Sequence, residues 1–274
     1  MDHLPQRCEF GLVTEFHTGR QHRLVPVSRD ERELGSAWTK FQRLSFPGPS
    51  PALARYVARY WDVSWNYETP YRQLIVPYPN VHLVFNRSGG AYVTGVSSGH
   101  QIRVLSGADG VFGVAFRPGM FRPFLGRSVS TLTDRTVDVA EVFREPIPDP
   151  LTVSGVEEFL LSQLPAADPR ADTAADAVSL IIAKPEITTV AMLATALGTN
   201  ARALQRLFAE YVGIGPKWVI RRYRLHEVTE RLAAGGAVDW SALAADLGYA
   251  DQSHFTRDFK SIFGESPTRY AERY

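Results

Sequence analysis

The chain has 274 residues, of which 45% are hydrophobic and 22% are charged, so it can bury a core and is not a generally disordered protein. This length favours two domains. The formal net charge of +1 lacks the strong basic character typical of nucleic-acid binders. From Pro185 onward the balance is similar, with eleven Lys and Arg against ten Asp and Glu. Any DNA-binding surface must therefore come from the placement of the charges.

Cysteine usage and hydropathy indicate a cytoplasmic protein. The single cysteine, Cys8, excludes an internal disulfide framework and a zinc site built from several cysteines. No stretch reaches the roughly 18 apolar residues of a membrane span, and residues 1–20 lack the apolar core of a signal peptide. We therefore expect a cytoplasmic protein with no membrane association, and the sequence indicates no cofactor.

The first half of the chain is predicted to be rich in β-structure. Ser50 precedes a helical spacing of apolar residues over 52–60, which predicts a short capped helix. Short runs rich in Val, Ile, Tyr, Phe and Trp follow, separated by Pro, Gly, Asn and Ser. These runs are 61–67, 73–76, 81–86, 91–96, 102–106 and 111–117. Their lengths and close spacing predict an antiparallel sheet or half-barrel.

Helical patterns dominate the rest of the chain. A helical turn broken by proline is expected at 119–125, and helices are expected at 137–143 and 156–164. A Pro- and Ala-rich stretch then forms the best linker candidate, and beyond it helices alternate with Gly or Pro joints. The fold class is therefore α+β. A β-rich domain with flanking helices is predicted at 1–165, and an all-α domain at 171–274.

The all-α part contains two predicted helix-turn-helix units that share the same spacing of alanine and glycine. In the first, an apolar helix face ends at Gly198, where a left-handed residue is favoured, and a new face begins at Leu204. Ala194, four residues before the glycine, allows two helices to cross closely over a tight turn. Ala244 and Gly248 repeat this spacing, so the second unit is predicted to have the same construction.

A helix over 217–233, with Pro216 at its start, is predicted to join the units, which cover about 187–209 and 240–260. Its seventeen or so residues span about 25 Å at 1.5 Å per residue. With the width of the units added, this approaches one DNA turn of about 34 Å. The pair Arg221-Arg222 on this helix is interpreted as a solvated face or as a phosphate contact.

Many residues in this region stand in a distinctive order and spacing. They are Ala194 and Gly198, Leu204-Gln205-Arg206-Leu207-Phe208, Gly213-Ile214-Gly215-Pro216, Arg224-Leu225, the run from Gly248 to Lys260, and Phe263-Gly264-Glu265-Ser266-Pro267. Over about ninety residues this pattern resembles the AraC/XylS family of transcription regulators. The resemblance implies that double-stranded DNA is the partner and that the second helix of each unit enters the major groove.

By position, the resemblance implies eight DNA-facing residues. They are Asn200, Arg202, Gln205 and Arg206 in the first unit, and Gln252, Ser253, Thr256 and Arg257 in the second. Their chemistry is suitable, because Arg can bind guanine O6 and N7, Gln can pair with adenine, and hydroxyls reach phosphates.

Two of these eight residues, Arg206 and Arg257, also have an interpretation that does not involve DNA. Arg206 and Arg257 can be solvated or paired with Glu210 and Asp258. In addition, Asp258 and Asp251 place negative charge beside the second helix of the second unit. On this ground the second unit is expected to bind DNA more weakly than the first.

Segments of the first half resemble an uncharacterised domain type that accompanies this DNA-binding module. They are Arg59-Tyr60-Trp61, Val76-Pro77-Tyr78-Pro79, Val81-His82-Leu83-Val84-Phe85-Asn86 and Gly113-Val114-Ala115-Phe116-Arg117-Pro118-Gly119. Family analogy implies a cupin-like barrel that senses a small molecule and mediates dimerisation. The effector's identity is not indicated. A second copy of the chain and RNA polymerase are further candidate partners.

Other chemistry-bearing residues of the first half have less specific patterns. Arg117 is an anion anchor if it points inward and otherwise a solvated strand end. No metal is expected, because His3, His17, His22, His82 and His100 lack H-x-H or H-x3-H spacing. An aromatic set either lines a pocket or fills the core: Tyr60, Trp61, Trp65, Tyr67, Tyr71, Tyr78, Phe85 and Phe116.

The sequence contains no catalytic motif, so no catalytic residue is predicted and the leading hypothesis is a regulator. One alternative is that the β-rich half is an enzyme acting on a small molecule, such as an alkyl-transfer domain. Such transfer needs an activated cysteine usually held by zinc, and Cys8 has no partner cysteines. The other alternative is a module that acts mainly through protein contacts.

Overall fold

The computed structural model describes residues 30–33, 40–144, 152–233 and 238–273. Cys8, His3, His17 and His22 lie outside the described residues. Within these ranges, no helix has both the length and the apolar character needed to cross a membrane.

One antiparallel sheet occupies the first half of the described chain. Its strands are β1 (Gln42–Ser45), β2 (Val57–Ile75), β3 (His82–Asn86), β4 (Ala91–Thr94), β5 (Gln101–Phe116) and β6 (Thr136–Asp138). They are hydrogen-bonded in the order β1-β2-β5-β3-β4-β6. The predicted antiparallel sheet is therefore confirmed.

Two long strands replace four predicted short ones. The runs 61–67 and 73–76 are parts of β2, and 102–106 and 111–117 fall largely within β5. The polar stretch around Pro70 is a bulge and not a strand end, because Tyr67 pairs with Gly107 and Tyr71 pairs with Leu105.

The predicted helix over 52–60 is wrong. Residues 51–56 form turns in which the Ala54 amide donates to Ser50 O, and β2 already begins at Val57. Ser50 Oγ is buried and caps nothing among the described residues. The chain becomes a strand at Val57 because Val57 and Tyr60 bury their side chains when they lie in the sheet.

Helices make up the rest of the fold. They are α1 (Arg122–Leu125), α2 (Val153–Ser162), α3 (Pro169–Ala183), α4 (Val190–Ala196), α5 (Ala201–Tyr211), α6 (Pro216–Ala233), α7 (Trp240–Asp246), α8 (Gln252–Phe263) and α9 (Pro267–Ala271). The expected helix at 137–143 is wrong, since β6 ends there and a single 3-10 turn follows. The α+β class, with a β-rich first half and an all-helical second half, is confirmed.

The main core begins on one face of the sheet and continues into the helices. Phe116 of β5 meets Phe121 with ring centroids 4.7 Å apart, and both side chains are buried. The same apolar cluster includes Val178 of α3 and Phe208 of α5. The predicted linker falls between α2 and α3, and the division into domains at that point stays a prediction.

Candidate nucleic-acid interface

Two helix pairs, α4–α5 and α7–α8, are closed by the same backbone geometry. The Thr199 amide donates to Ala194 O, and the Tyr249 amide donates to Ala244 O, both at 2.9 Å. The glycines before these donors have positive φ angles of 61° and 71°. Left-handed backbone favours glycine, and the two alanines are buried where the helices cross. The predicted repeat of two helix-turn-helix units is confirmed.

Aromatic and aliphatic side chains fix one face of α5 and one face of α8. Leu204 and Phe208 of α5 are at most 1% exposed. In α8, Phe255, Phe259 and Phe263 are fully buried, and the last two rings stack 4.3 Å apart. Because these side chains hold one side of each helix inward, the opposite side faces solvent.

The solvent face of α5 carries the predicted residues of the first unit. Arg202, Gln205 and Arg206 are exposed, and none has a polar partner among the residues that the structure describes. Asn200 caps the helix, its Oδ1 accepting from the Ala203 amide at 2.9 Å. One predicted residue therefore orders the helix N-terminus, and the other three are free to meet a ligand.

The alternative pairing of Arg206 with Glu210 is not formed. Glu210 instead accepts a hydrogen bond from Arg122 Nε at 3.0 Å. Arg122 lies in α1, so the acid ties α5 to the first half of the chain. Arg206 therefore has no acidic partner in the part of the chain that the structure describes.

The solvent face of α8 carries the residues of the second unit. Gln252, Ser253 and Arg257 are exposed, and Thr256 is half-buried. Gln252 Oε1 accepts from Ser241 Oγ at 3.3 Å, and Arg257 Nε donates to the Ser253 carbonyl at 3.3 Å. Both bonds are weak or local, so these side chains can exchange them for a ligand.

The two acids near α8 are already engaged. Asp251 Oδ1 caps the helix by accepting from the His254 amide at 2.7 Å. Asp258 is half-buried and accepts from Arg221 Nη1 at 3.2 Å. The pairing of Arg257 with Asp258 is therefore not seen, and the charges expected to weaken the second unit are largely compensated.

The joining helix α6 has 18 residues, or about 27 Å, and Arg222 anchors its middle. Arg222 is fully buried, its Nε donates to Pro77 O at 2.7 Å, and its guanidinium lies 4.1 Å from the Tyr78 ring centroid. The interpretation of Arg222 as a solvated or phosphate-contacting residue is wrong. Arg222 instead fixes α6 against the loop after β2.

Both helix-turn-helix units are held by the first half of the chain. The first unit receives a hydrogen bond from Ser128 Oγ to Ala209 O at 3.0 Å. The second packs Phe263 and Ile262 against Leu74 of β2 in a separate apolar cluster. These contacts set the orientation of α5 relative to α8.

Two substitutions of Arg222 should distinguish the contribution of its packing to stability from the contribution of its charge. Arg222→Ala leaves a large void beneath Tyr78 and should lower the free energy of unfolding by about 3 kcal/mol. Arg222→Met keeps most of the volume and removes a buried cation whose Nη1 and Nη2 have no hydrogen-bond partner among the described residues, so it should cost less than about 1 kcal/mol. Urea denaturation of both variants measures the difference. Equal losses would contradict the assignment.

The aromatic set divides between core and cavity. Tyr60, Phe85 and Phe116 are fully buried in the core. Trp61, Trp65 and Tyr78 line a large cavity between the sheet and the helices, so the pocket interpretation holds for these three. Tyr67 and Tyr71 stack at 4.7 Å in a small cluster of their own.

Arg117 lies at the exposed rim of this cavity, where its Nη1 donates to Ala54 O at 3.2 Å. Of the two interpretations, the solvated strand end fits better. Across the described ranges, no three His, Cys, Asp or Glu side chains come together in a way that would hold a metal ion.

His82 lines the same cavity, and its burial should make the stability of the fold depend on pH. Burial, with smaller contributions from Arg59 and Arg103, lowers the pKa of His82 to about 3. Between this value and the unfolded pKa of about 6.5, the unfolded chain binds a proton that the folded chain does not. The free energy of unfolding should therefore fall by about 1 kcal/mol between pH 7.5 and pH 5.5. His82→Gln should show a smaller fall in urea denaturation, and an unchanged pH dependence would contradict the assignment.

Comparison with known proteins matches two separate parts of the chain. Residues 193–273 match the model of a helix-turn-helix domain, and residues 47–138 match a domain of unknown function (DUF6597). Over 82 residues the chain is 34% identical to an AraC-like transcription regulator of Streptomyces antibioticus, covering 30% of this chain and 27% of that protein. The chain thus spans about a quarter of this relative's length.

Solved structures show weaker likenesses. A transcriptional regulator from Chromobacterium violaceum with an AraC-type DNA-binding domain is 25% identical, covering 35% of this chain and 85% of its own, with a TM-score of 0.31. ToxT from Vibrio cholerae is 11% identical over 84% of this chain and 98% of its own, with a TM-score of 0.38. Another ToxT structure, bound to an unsaturated fatty acid, is 12% identical over 85% and 94%, with a TM-score of 0.36. These superpositions are too loose to carry an argument about function.

Proposed function

We propose that this chain, whose residues 193–273 form a helix-turn-helix domain of the AraC type, is a sequence-specific DNA-binding transcription regulator. One observation carries the proposal. The matched arginines of the two units, Arg206 and Arg257, are exposed, and the acids beside them are bound elsewhere. A free guanidinium on the outer face of such a helix suits bidentate contact with guanine or a phosphate.

The construction of the second half supports contact with two adjacent grooves. In each unit the second helix is capped and its inner face is buried, so only its outer face is available. The joining helix α6 spans about 27 Å, which with the width of the units approaches the 34 Å of one DNA turn. One copy of the chain can therefore place α5 and α8 in successive major grooves.

We assign base contacts to exposed side chains that have no polar partner or only a long or local hydrogen bond among the described residues. Arg202, Gln205 and Arg206 act from α5, and Gln252 and Arg257 act from α8. Ser253 and Thr256 supply hydroxyls for phosphates. Asn200 keeps its capping bond and offers only its remaining amide group.

The first half of the chain is proposed to sense a small molecule. Its cavity reaches the joining helix, where Tyr223 and His226 form part of the wall. A small molecule in the cavity would therefore contact α6, the helix that joins the two helix-turn-helix units. Dimerisation and contact with RNA polymerase are further proposals from the family resemblance.

Selection from a random-sequence duplex library, followed by fluorescence anisotropy, tests the proposed function. We expect the full chain to enrich one bipartite motif and to bind it at least about a thousandfold tighter than scrambled DNA. The affinity should fall steeply between 50 and 200 mM salt, because phosphate contacts release counterions. Recovery of no motif, or equal affinity for scrambled DNA, would overturn the proposal.

A further inference from the structure

A cavity of about 1310 Å³ lies between the sheet and two helices. Strands β2, β3 and β5 supply one side, and Val178 and Ile182 of α3 supply another. Tyr223 and His226 of α6 complete the wall. The cavity therefore joins the sheet to the helix that links the two helix-turn-helix units.

The strand register places three large side chains, those of Arg59, Trp61 and His82, on the cavity face of the sheet. Arg59 and His82 are both directly opposite Ala115 of β5, and Trp61 is opposite Gly113 two residues along that strand. Directly opposed residues in antiparallel strands project to the same face. The two small residues between them leave space for the three large side chains.

Gly113 is needed for the position of Trp61. A Cβ added at Gly113 would lie 2.0 Å from the indole ring, so the ring rests on the bare backbone. The indole Nε1 donates to His82 Nδ1 at 3.2 Å. Because Nδ1 accepts, the neutral imidazole carries its hydrogen on Nε2 and can donate it to a ligand.

Three arginines line the cavity: Arg117 lies at its exposed rim, and Arg59 and Arg103 lie near His82. Arg59 and Arg103 both lie close enough to His82 to disfavour its protonation. Arg103 donates to Tyr92 Oη at 2.6 Å, and Arg59 Nε is buried with no hydrogen-bond partner in the described part of the chain. Neither has a carboxylate within salt-bridge distance there, and Glu230 is the one acidic residue among the described lining residues. Half-buried cations without counterions favour an anion.

The remaining surface of the cavity is largely apolar. Aliphatic side chains from three strands line it, and Trp65 adds a second indole. The aliphatic residues on these strands are Val57, Val63, Ile75, Val84, Leu105 and Val111. Such a lining buries a hydrophobic body but gives it no polar partner.

We propose that this cavity binds a small organic anion, with its acidic head group held by Arg59, Arg103 and the Nε2 hydrogen of His82, and its apolar body between the sheet and α6. This inference rests on the proposed function, and it adds the chemical class of the effector. Carboxylates and phosphate monoesters share the required head-group chemistry. The bound molecule contacts both the sheet and α6, so it stabilises one placement of the two units.

Fluorescence titration of the full chain with 1-anilinonaphthalene-8-sulfonate, an apolar anion, tests the site directly. The variants Arg59→Met and Arg103→Met keep side-chain volume and remove charge, and each should raise Kd at least tenfold. Arg72→Met is the matched control, because Arg72 is exposed on β2 outside the cavity, and its Kd should stay within twofold. Equal Kd values for the native chain and Arg59→Met would overturn the proposal, provided that circular dichroism shows both folded.

Displacement of the dye then identifies the head group. 4-Butylbenzoate or 4-butylphenyl phosphate should displace it from the native chain, and the stronger competitor shows whether a carboxylate or a phosphate is preferred. 4-Butylbenzamide has the same apolar body without the charge and should compete at least tenfold less well. Equal competition by the amide, or none by either anion, would overturn the proposal.

DNA binding by the same preparations separates the two proposals. Arg59→Met should bind the selected motif when no anion is present, because Arg59 lies outside the helix-turn-helix units. A native chain that binds the selected motif but binds neither the dye nor the competing anions would overturn only this inference. Anion binding without DNA binding by the native chain would overturn only the proposed function.

Discussion

The double variant Arg206→Ala, Arg257→Ala is expected to lose sequence-specific DNA binding, with Kd for the selected motif raised at least about a hundredfold. Each bidentate arginine contact contributes roughly 1–3 kcal/mol of discrimination. The two residues lie in different units joined by the 18 residues of α6, so their losses should add. Neither side chain supports the fold, since both are exposed.

Fluorescence anisotropy at one fixed salt concentration measures this effect, because phosphate contacts make every affinity depend on salt. The matched control is Arg43→Ala, Arg72→Ala, which removes two exposed arginines from the sheet. The control should bind within threefold of the native chain. A double variant at Arg206 and Arg257 that also binds within threefold would contradict the assignment of α5 and α8.

Gly95→Ala should lower the free energy of unfolding by at least about 3 kcal/mol. An added Cβ would lie 2.0 Å from Leu132 O and 2.4 Å from Leu132 C, which are backbone atoms that no rotamer change can move. Leu132 is fully buried in a 3-10 turn, and the Gly95 amide donates to Arg135 O at 3.0 Å. The added methyl therefore displaces the segment 129–135 from the sheet.

Gly48→Ala is the control for this substitution. A Cβ at Gly48 meets nothing within 4 Å, and its backbone is not left-handed, so the change should stay within about 0.5 kcal/mol. Urea denaturation followed by circular dichroism compares the two. A loss below about 1 kcal/mol for Gly95→Ala would contradict the close approach of Gly95 to the Leu132 backbone.

Gly95→Ala should also weaken DNA binding, because the turn at 129–132 packs on α5.

The helix-turn-helix units were predictable because their signals are short-range. The spacing of Ala194 and Gly198 sets one turn, and the closing hydrogen bond spans only five residues. The strands were less predictable, since a bulge and a strand end both favour Gly and Pro. The stretch around Pro70 therefore indicated two strands where β2 is continuous.

The cavity and the anchor of α6 depend on contacts between distant parts of the chain. Arg59 meets His82 only through the register of β2, β5 and β3, which no local pattern records. Arg222 bonds a carbonyl 145 residues away, so its neighbours on α6 could not indicate that it is buried.

Charge counting at the second unit did not reveal the partners of its two acids. Asp251 precedes the first turn of α8 and acts as its N-cap, a role that its position before the helix could have indicated. Asp258 needed the fold, because its partner Arg221 lies on a different helix. Both acids therefore have structural roles in α8 and its support, and the expectation that the second unit binds DNA more weakly stays a prediction.

Hydroxyl-radical footprinting of the full chain on its selected motif tests the central claim most directly. We expect two protected stretches about one helical turn apart on one face of the duplex. Arg206→Ala should weaken protection of one stretch and Arg257→Ala protection of the other. A single stretch, or two stretches that neither substitution changes, would contradict a bipartite interface formed by α5 and α8.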